Sequence, residues 1–247
     1  MLVERELAES RHKAQALLIG GQVLVNEQKV EKPGQRVDSL AEIRILNADR
    51  YVSRAGAKLQ AALEHFGIAV AGRVCADLGA STGGFTDCLL QNGAQEVHAF
   101  DVGKGQLDWS LRTDPRVVVH DGFNVRYITS QDLPPSVSLV TLDLSFISTT
   151  KILGPLRNAL LGSGRTFPVD LILLVKPQFE VGKGLVGKGG IVRDEEKRGK
   201  ALESVVTFAR GAGFKVAGHL QSPVRGAKGN VEFLLYLELP LDLSSPA

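Results

Sequence analysis

Four residues of this 247-residue chain have side chains that hold or move protons and stand where strands and helices would gather them. Lys58 lies in Ser53-Arg-Ala-Gly-Ala-Lys58, on a helix expected before the first strand. Asp143 opens Asp143-Leu-Ser-Phe146 at the end of the fourth strand. Lys176 ends the fifth within Leu174-Val-Lys-Pro177, and Glu232 begins the last within Asn230-Val-Glu-Phe233. The three strand positions should meet at the carboxyl edge of a parallel sheet, where such folds bind ligands. Taken singly, a lysine is ordinarily a solvated surface group. Lys176 departs from that pattern, because it follows the apolar run Leu171–Val175 and is pinned by Pro177. Two lysines and two carboxylates around one point make two acid–base pairs. That is equipment for taking a proton from a hydroxyl and steadying the charge that develops.

A second constellation precedes them. Asp77-Leu-Gly-Ala-Ser-Thr-Gly-Gly-Phe85 follows the first strand and opens a helix, and its glycines let the backbone turn sharply against a ligand. NAD, FAD and nucleoside sites all use such a turn. Here the spacing is not G-x-G-x-x-G, and no lysine–threonine pair is present for a triphosphate. Phe100-Asp101 ends the second strand, 24 residues after Asp77. A carboxylate there accepts both ribose hydroxyls of a nucleoside cofactor. The third strand ends at Asp121, which would meet the adenine amino group. Acids at the tips of three successive strands, with no phosphate anchor, point to S-adenosylmethionine rather than a dinucleotide. Asp77, Gly79 and Ser81 of the turn join Asp101, Asp121 and Asp143 as expected cofactor contacts. The plainer alternative is that these acids cap helices and turns.

The two constellations together give the tetrad its roles. A ribose hydroxyl is a poor nucleophile at neutral pH, so its proton must be taken or stabilised while a methyl group transfers. A lysine beside another cation and partly desolvated has a lowered pKa and can be neutral enough to act as a base. Lys176 is the expected base, with Lys58 orienting the hydroxyl or steadying negative charge. Asp143 would sit near the methyl-bearing sulfonium, and Glu232 would fix the lysines by hydrogen bonds. Methylation of a base amino group generally needs an Asp/Asn-Pro-Pro-aromatic turn at the fourth strand, where this chain reads Asp-Leu-Ser-Phe. Methylation of a cytosine carbon would want a nucleophilic cysteine nearby, and neither Cys75 nor Cys88 is close.

Six segments carry a resemblance over almost the whole chain: Tyr51-Val-Ser-Arg-Ala-Gly-Ala-Lys58-Leu, Asp77 through Asp87, Val102-Gly-Lys-Gly-Gln-Leu107, Asp143-Leu-Ser-Phe-Ile-Ser148, Lys176-Pro-Gln-Phe-Glu180 and Gly229-Asn-Val-Glu232. They resemble the TlyA family, often labelled haemolysins and known as ribosomal RNA 2′-O-methyltransferases. The methylase part is similar to the wider FtsJ family, whose Lys-Asp-Lys-Glu tetrad falls on Lys58, Asp143, Lys176 and Glu232. The same resemblance carries cofactor positions to Gly83, Phe85, Asp101 and Asp121. It implies S-adenosylmethionine as cofactor and ribosomal RNA or a ribosomal subunit as partner, with no protein partner evident. Residues 1–46 resemble the small alpha-L RNA-binding domain, through Ser10-Arg-His-Lys-Ala, Val23-Leu-Val-Asn and Lys32-Pro. Family members carry a basic lead and an Arg-Leu-Asp-Leu start ahead of Leu2, so the module is expected to be trimmed at its start.

Two units must position these residues. Residues 1–46 read as a compact α+β module with two helices on a few short strands and a thin core, and 47–50 as a linker. In the module Leu2, Leu7, Ala14, Leu17, Leu18 and Ile19 recur at roughly helical spacing. Ser10 is the expected N-cap, Gly20-Gly21 the stop, and Glu27-Gln28 a tight turn between strands. Residues 51–247 alternate strand and helix. The strands are Val74–Leu78, Val97–Val102, Val117–His120, Leu139–Leu142, Leu171–Val175, Lys215–His219 and Val231–Leu239, with helices such as Gly84–Gln91 and Glu195–Ala212. That alternation predicts a doubly wound, Rossmann-like α/β sheet of seven strands. The short link Gln221–Asn230 should make the last two strands an antiparallel hairpin.

Composition narrows the function classes. No apolar run approaches the ~20 residues of a membrane-spanning helix, and the start Met-Leu-Val-Glu-Arg-Glu lacks a signal core. The two cysteines match no metal spacing and read as small core residues of a cytoplasmic protein. Net charge is only +2, so local distribution matters more: residues 176–200 hold seven Lys or Arg against four acids. Two surfaces are expected to meet RNA phosphate. One is the helix start at Arg11 and Lys13. The other is the glycine-rich loop Gly182–Gly190 with Lys183 and Lys188, whose plainer alternative is a surface connection. An inactive methylase fold that only binds RNA, or a membrane-lytic protein, are the competing readings.

Overall fold

The computed structural model describes residues 1–8, 10–19, 21–45, 50–182, 186–187 and 189–241. The chain divides into two compact units, Met1–Arg50 and Tyr51–Ala247. Apart from Arg50, the expected linker lies outside the described residues, as do Lys183 and Lys188.

The first unit holds helix α1 (Arg11–Ile19) and strands β1 (Val23–Val25), β2 (Gln28–Lys29) and β3 (Ile43–Ile45), in the antiparallel order β2-β1-β3. Ser10 caps α1 by accepting from the Lys13 amide at 3.2 Å. The chain leaves the helix through Gly21, at φ +64°, with Gln22 N donating back to Leu17 O. The hairpin turn is Asn26-Glu27, not Glu27-Gln28. Both residues are left-handed, at φ 48° and 61°, which matches the twist of two paired strands. The expectation of two helices also fails among the described residues. Residues 2–6 run as turns closed by Arg5 N to Met1 O and Leu7 N to Leu2 O, and Glu6 at φ 58° stops them from propagating. Leu2 and Ala8 pack instead with Ala14, Leu17 and Val23 in a small core, while Ile19 is exposed.

The second unit runs α2 (Ala55–Phe66), β4 (Val74–Leu78), α3 (Gly84–Gln91), β5 (Glu96–Asp101), α4 (Trp109–Arg112), β6 (Val117–Asp121), β7 (Val137–Leu142), α5 (Thr150–Gly162), β8 (Val169–Val175), α6 (Pro177–Glu180), α7 (Glu195–Gly211), β9 (Lys215–Gln221) and β10 (Phe233–Leu239). The seven strands lie in the order β6-β5-β4-β7-β8-β10-β9. β10 is antiparallel to both neighbours and inserts between β8 and β9, so the expected terminal hairpin is present. β4, β5, β6, β7 and β8 are parallel.

Period-two alternation sorts the strands onto two buried faces. Ala76, Leu78, Val140, Leu142, Leu171 and Leu173 face α5 and α7. Cys75, Val97, Ala99, Leu139, Ile172 and Leu174 face α2 and α3. Cys75 and Cys88 are fully buried, and burial pushes the Cys75 thiol up to about 12. Strand order reverses between β4 and β7, which opens a crevice at their carboxyl ends. No helix among the described residues is long and apolar enough to cross a membrane.

Candidate active site

Both constellations sit at that crevice. After β4 the chain turns through Gly79 (φ 91°) and Ser81 (φ 50°). A β-carbon on Gly79 would lie 2.7 Å from the Asp143 carbonyl oxygen, so only glycine lets the post-β4 and post-β7 segments approach this closely. Gly79 N and Ala80 N both donate to Phe100 O, which ties the turn to the end of β5. There Asp101 is braced by two backbone amides, Ser81 N to Oδ2 at 2.8 Å and Gly103 N to Oδ1 at 2.7 Å. Gly79, Ser81 and Asp101 line a cavity of about 480 Å³ whose walls include Phe100, Phe123 and Asn124. A fixed carboxylate, a turn with no room for a side chain and aromatic walls fit an adenosine-bearing cofactor.

The other cofactor expectations fall differently. Asp77 does not line this cavity. It is the fourth residue of β4, wholly buried toward α3, with Thr86 Oγ1 donating to Oδ2 at 2.7 Å and Thr141 Oγ1 to Oδ1 at 2.9 Å. Burial pushes its carboxyl up to about 6, against the opposing pull of the two threonine hydroxyls. Asp121 is also absent from the lining. It accepts from Arg112 Nη2 at 2.6 Å and Gly105 N at 3.1 Å, and the Arg112 bond holds it below the usual carboxylate range. Gly83 is the N-cap of α3 at φ 100°, with space for a β-carbon taken by Leu111 and Leu107. Phe85 is 2% exposed and borders a small pocket of about 90 Å³ that also touches Gly79, Ser81 and Asp143.

Lys58, on α2, and Asp143, Lys176 and Glu232, next to the ends of β7, β8 and β10, line one cavity of about 450 Å³. Lys58 projects from α2 and donates to Glu232 Oε2 at 2.7 Å, with side-chain exposures of 10% and 2%. Glu232 directly precedes β10, and the turn before it passes over the carboxylate at Gly226, where a β-carbon would overlap Oε1. Lys176 caps α6 with an extended backbone, as a residue before proline prefers, and Pro177 occupies the first helical position. Its Nζ lies 2.6 Å from Asp143 Oδ1, donates to Ser145 Oγ at 2.9 Å and stands 6.0 Å from the Phe179 ring centroid. Each lysine is therefore paired with a carboxylate. The second cation invoked beside Lys176 lines the same cavity but is itself bonded to Glu232.

The Asp101 cavity and the tetrad cavity share Ser81, Asp143, Ser145 and Phe146. The segment after β7 is thus their common wall, and it is held from outside. Glu180, the last residue of α6, accepts from Thr149 N and Thr149 Oγ1, both at 2.8 Å, and from Ser148 Oγ. The sequence pattern points to no role for Ser145, Phe146 or Glu180, although they lie within Asp143–Ser148 and Lys176–Glu180. Phe146 is 92% exposed at φ 66°, a conformation rare for an aromatic residue. Arg54 and Arg225 also line the tetrad cavity. In the first unit Arg11 and Lys13 are exposed in the first turn of α1.

With this geometry in place, comparison with known proteins is specific. Residues 51–239 match the FtsJ-like methyltransferase family and residues 1–43 the S4 domain. A 16S/23S rRNA (cytidine-2′-O)-methyltransferase, TlyA of Mycobacterium tuberculosis, is 46% identical over 243 residues, covering 98% of this chain and 89% of that one. Hemolysin A of Brachyspira hyodysenteriae is 44% identical over 229 residues, covering 92% and 93%. A solved structure described as a candidate hemolysin from Streptococcus thermophilus superposes with a TM-score of 0.75 at 41% identity, covering 97% and 86%. The chain belongs to the TlyA family, FtsJ-like methyltransferases that carry an N-terminal S4 domain.

Proposed function

We propose that this protein transfers a methyl group from S-adenosylmethionine to a ribose 2′-hydroxyl of ribosomal RNA, in the cytoplasm. The observation that carries the reading is the pair of ion pairs, Lys58–Glu232 and Lys176–Asp143, lining one cavity that shares a wall with the Asp101 cavity. Bound adenosylmethionine would supply an electrophilic methyl on a sulfonium sulfur. Asp101 takes the cofactor ribose hydroxyls, and Gly79 and Ser81 let the backbone close on it. Asp143 stands where both cavities meet, beside the positive charge that the cofactor brings. Lys176 takes the 2′-proton, and Lys58, held by Glu232, steadies negative charge on the oxygen. Arg11 and Lys13, in the S4 domain, hold RNA phosphate, joined by Lys183 and Lys188. The rRNA methyltransferase name of the Mycobacterium relative supports the substrate.

The test is incubation of ribosomal subunits with the protein and labelled cofactor, followed by mapping of 2′-O-methyl sites. Lys176→Ala should lower transfer by roughly 10²-fold or more while calorimetry still shows cofactor binding. Label on a base, or no label in ribosomal RNA, refutes the reading. Activity within a few-fold of wild type in Lys176→Ala moves the base role to Lys58.

A further inference from the structure

We propose that Ser145 is a further catalytic residue, a proton relay between Lys176 and the target 2′-hydroxyl; this rests on the function proposed above. Lys176 Nζ donates to Ser145 Oγ at 2.9 Å while pairing with Asp143 Oδ1 at 2.6 Å. A serine hydroxyl has one donor and two acceptor lone pairs. Accepting from Lys176 uses one lone pair and leaves the other for the 2′-hydroxyl proton, while among the described residues no other acceptor competes with Lys176 for the Ser145 proton. Ser145 lines both cavities, so that hydroxyl opens where the methyl donor and the ribose must meet. The left-handed backbone of Phe146 and the Glu180 bonds to Ser148 and Thr149 hold its segment in this shape. Strain of this kind, held by surrounding contacts, is a feature of working sites.

The relay balances as follows. The relay requires the amine form of Lys176, its proton passed to solvent, and in that form the bond seen from Nζ to Oγ reverses, with Ser145 Oγ donating to Nζ. The 2′-oxygen forms a bond to the methyl carbon as the carbon–sulfur bond breaks, and that electron pair stays on sulfur as a neutral thioether. The 2′-proton passes to Ser145 Oγ while the serine's own proton passes to Lys176. The resulting ammonium is left paired with Asp143, and the serine is restored.

The experiment compares wild type, Ser145→Ala and Ser145→Thr on purified ribosomal subunits. It measures the single-turnover rate across pH, the subunit KM, and the cofactor Kd by calorimetry. Ser145→Ala is expected to slow transfer about 10- to 100-fold. Its cofactor Kd and subunit KM should stay within about threefold of wild type, less than the loss of one charge-assisted contact. Ser145→Thr, which keeps the hydroxyl, should recover most of the rate. A wild type that methylates ribosomal RNA while Ser145→Ala keeps pace within about twofold overturns the relay alone. A loss that Ser145→Thr does not recover, or one expressed in cofactor Kd, makes the serine structural and also overturns it. A wild type that methylates no ribosomal RNA overturns the proposed function and the relay with it.

Discussion

Asp77→Asn should make the protein more stable at neutral pH, because the wild-type carboxylate is ionised inside the sheet. Asp77 has no exposed surface and is pushed up to about 6, whereas an aspartate in the unfolded chain titrates near 4. A raised carboxyl means that the folded state holds its proton to higher pH than the unfolded state. Stability from this group is therefore lost as pH rises through that interval. About two pH units at 1.36 kcal/mol each come to roughly 3 kcal/mol lost by pH 7. Asparagine has the same shape and no charge. Its oxygen accepts from one threonine hydroxyl, and its amide donates to the other, which rotates to accept. Urea unfolding followed by circular dichroism, from pH 4.5 to 8, reads the difference between variant and wild type. That difference should grow through the window from about 4 to about 6, level off above it, and favour the variant by up to ~3 kcal/mol. A difference that is flat in pH, or a variant less stable at pH 8, refutes the account of Asp77 as a buried structural carboxylate.

Two further outcomes separate the cofactor cavity from its wall. Asp101→Ala should weaken cofactor binding in calorimetry by roughly 1–3 kcal/mol, the worth of a charge-assisted hydrogen-bond pair, and tight NADH binding would contradict the cofactor assignment. Glu180→Ala leaves the Thr149 amide and two hydroxyls without their acceptor. It should cost about 1–3 kcal/mol in urea unfolding and slow methyl transfer while leaving the Asp101 side intact; an unchanged rate would show that Lys176 and Asp143 meet without that brace.

The sheet was legible because its strands are apolar runs bounded by turns, and their order follows from the alternation with helices. Asp143, Lys176 and Glu232 could be placed because each sits one residue beyond or before a strand, where parity and burial no longer dictate which way it points. Asp77 shows the limit. The sequence pattern makes it a strand-tip acid like Asp101, but β4 continues through Leu78, so Asp77 is still inside the ladder and alternation turns it toward α3 with Cys75. Asp121 is the last residue of β6, and its carboxylate is claimed by Arg112, nine residues earlier in the chain. Nothing in local pattern announces such a pairing. Ser145 carries no local signal for a related reason: its hydroxyl meets Lys176, and the segment beyond it is held by Glu180 through Ser148 and Thr149, both partners more than thirty residues away. In the first unit the hairpin turn moved by one residue, since an Asn-initiated left-handed pair closes the strands better than Glu27-Gln28 would.

The buried charges of the tetrad need a reason other than stability. Lys58 and Glu232 are nearly inaccessible, and an ion pair in such a place is offset by the desolvation of both partners. Apolar residues of the same volume would fill the space at similar or lower free energy. Removing one partner alone would leave an uncompensated charge at a cost of about 3–5 kcal/mol. The pair is thus stable only as a pair, and the fold goes to some length to keep it, down to a glycine at 226 that clears the carboxylate. Lys176 and Asp143 repeat the arrangement with side-chain exposures of 11% and 17%, on the wall that both cavities share. Two preassembled pairs in a partly dry site are poised to respond to a charge that arrives or a proton that leaves, with little reorganisation when it does. Under the proposed function, a methyl cation equivalent would approach from one cavity and a hydroxyl from the other, and the segment carrying Asp143 and Ser145 borders both.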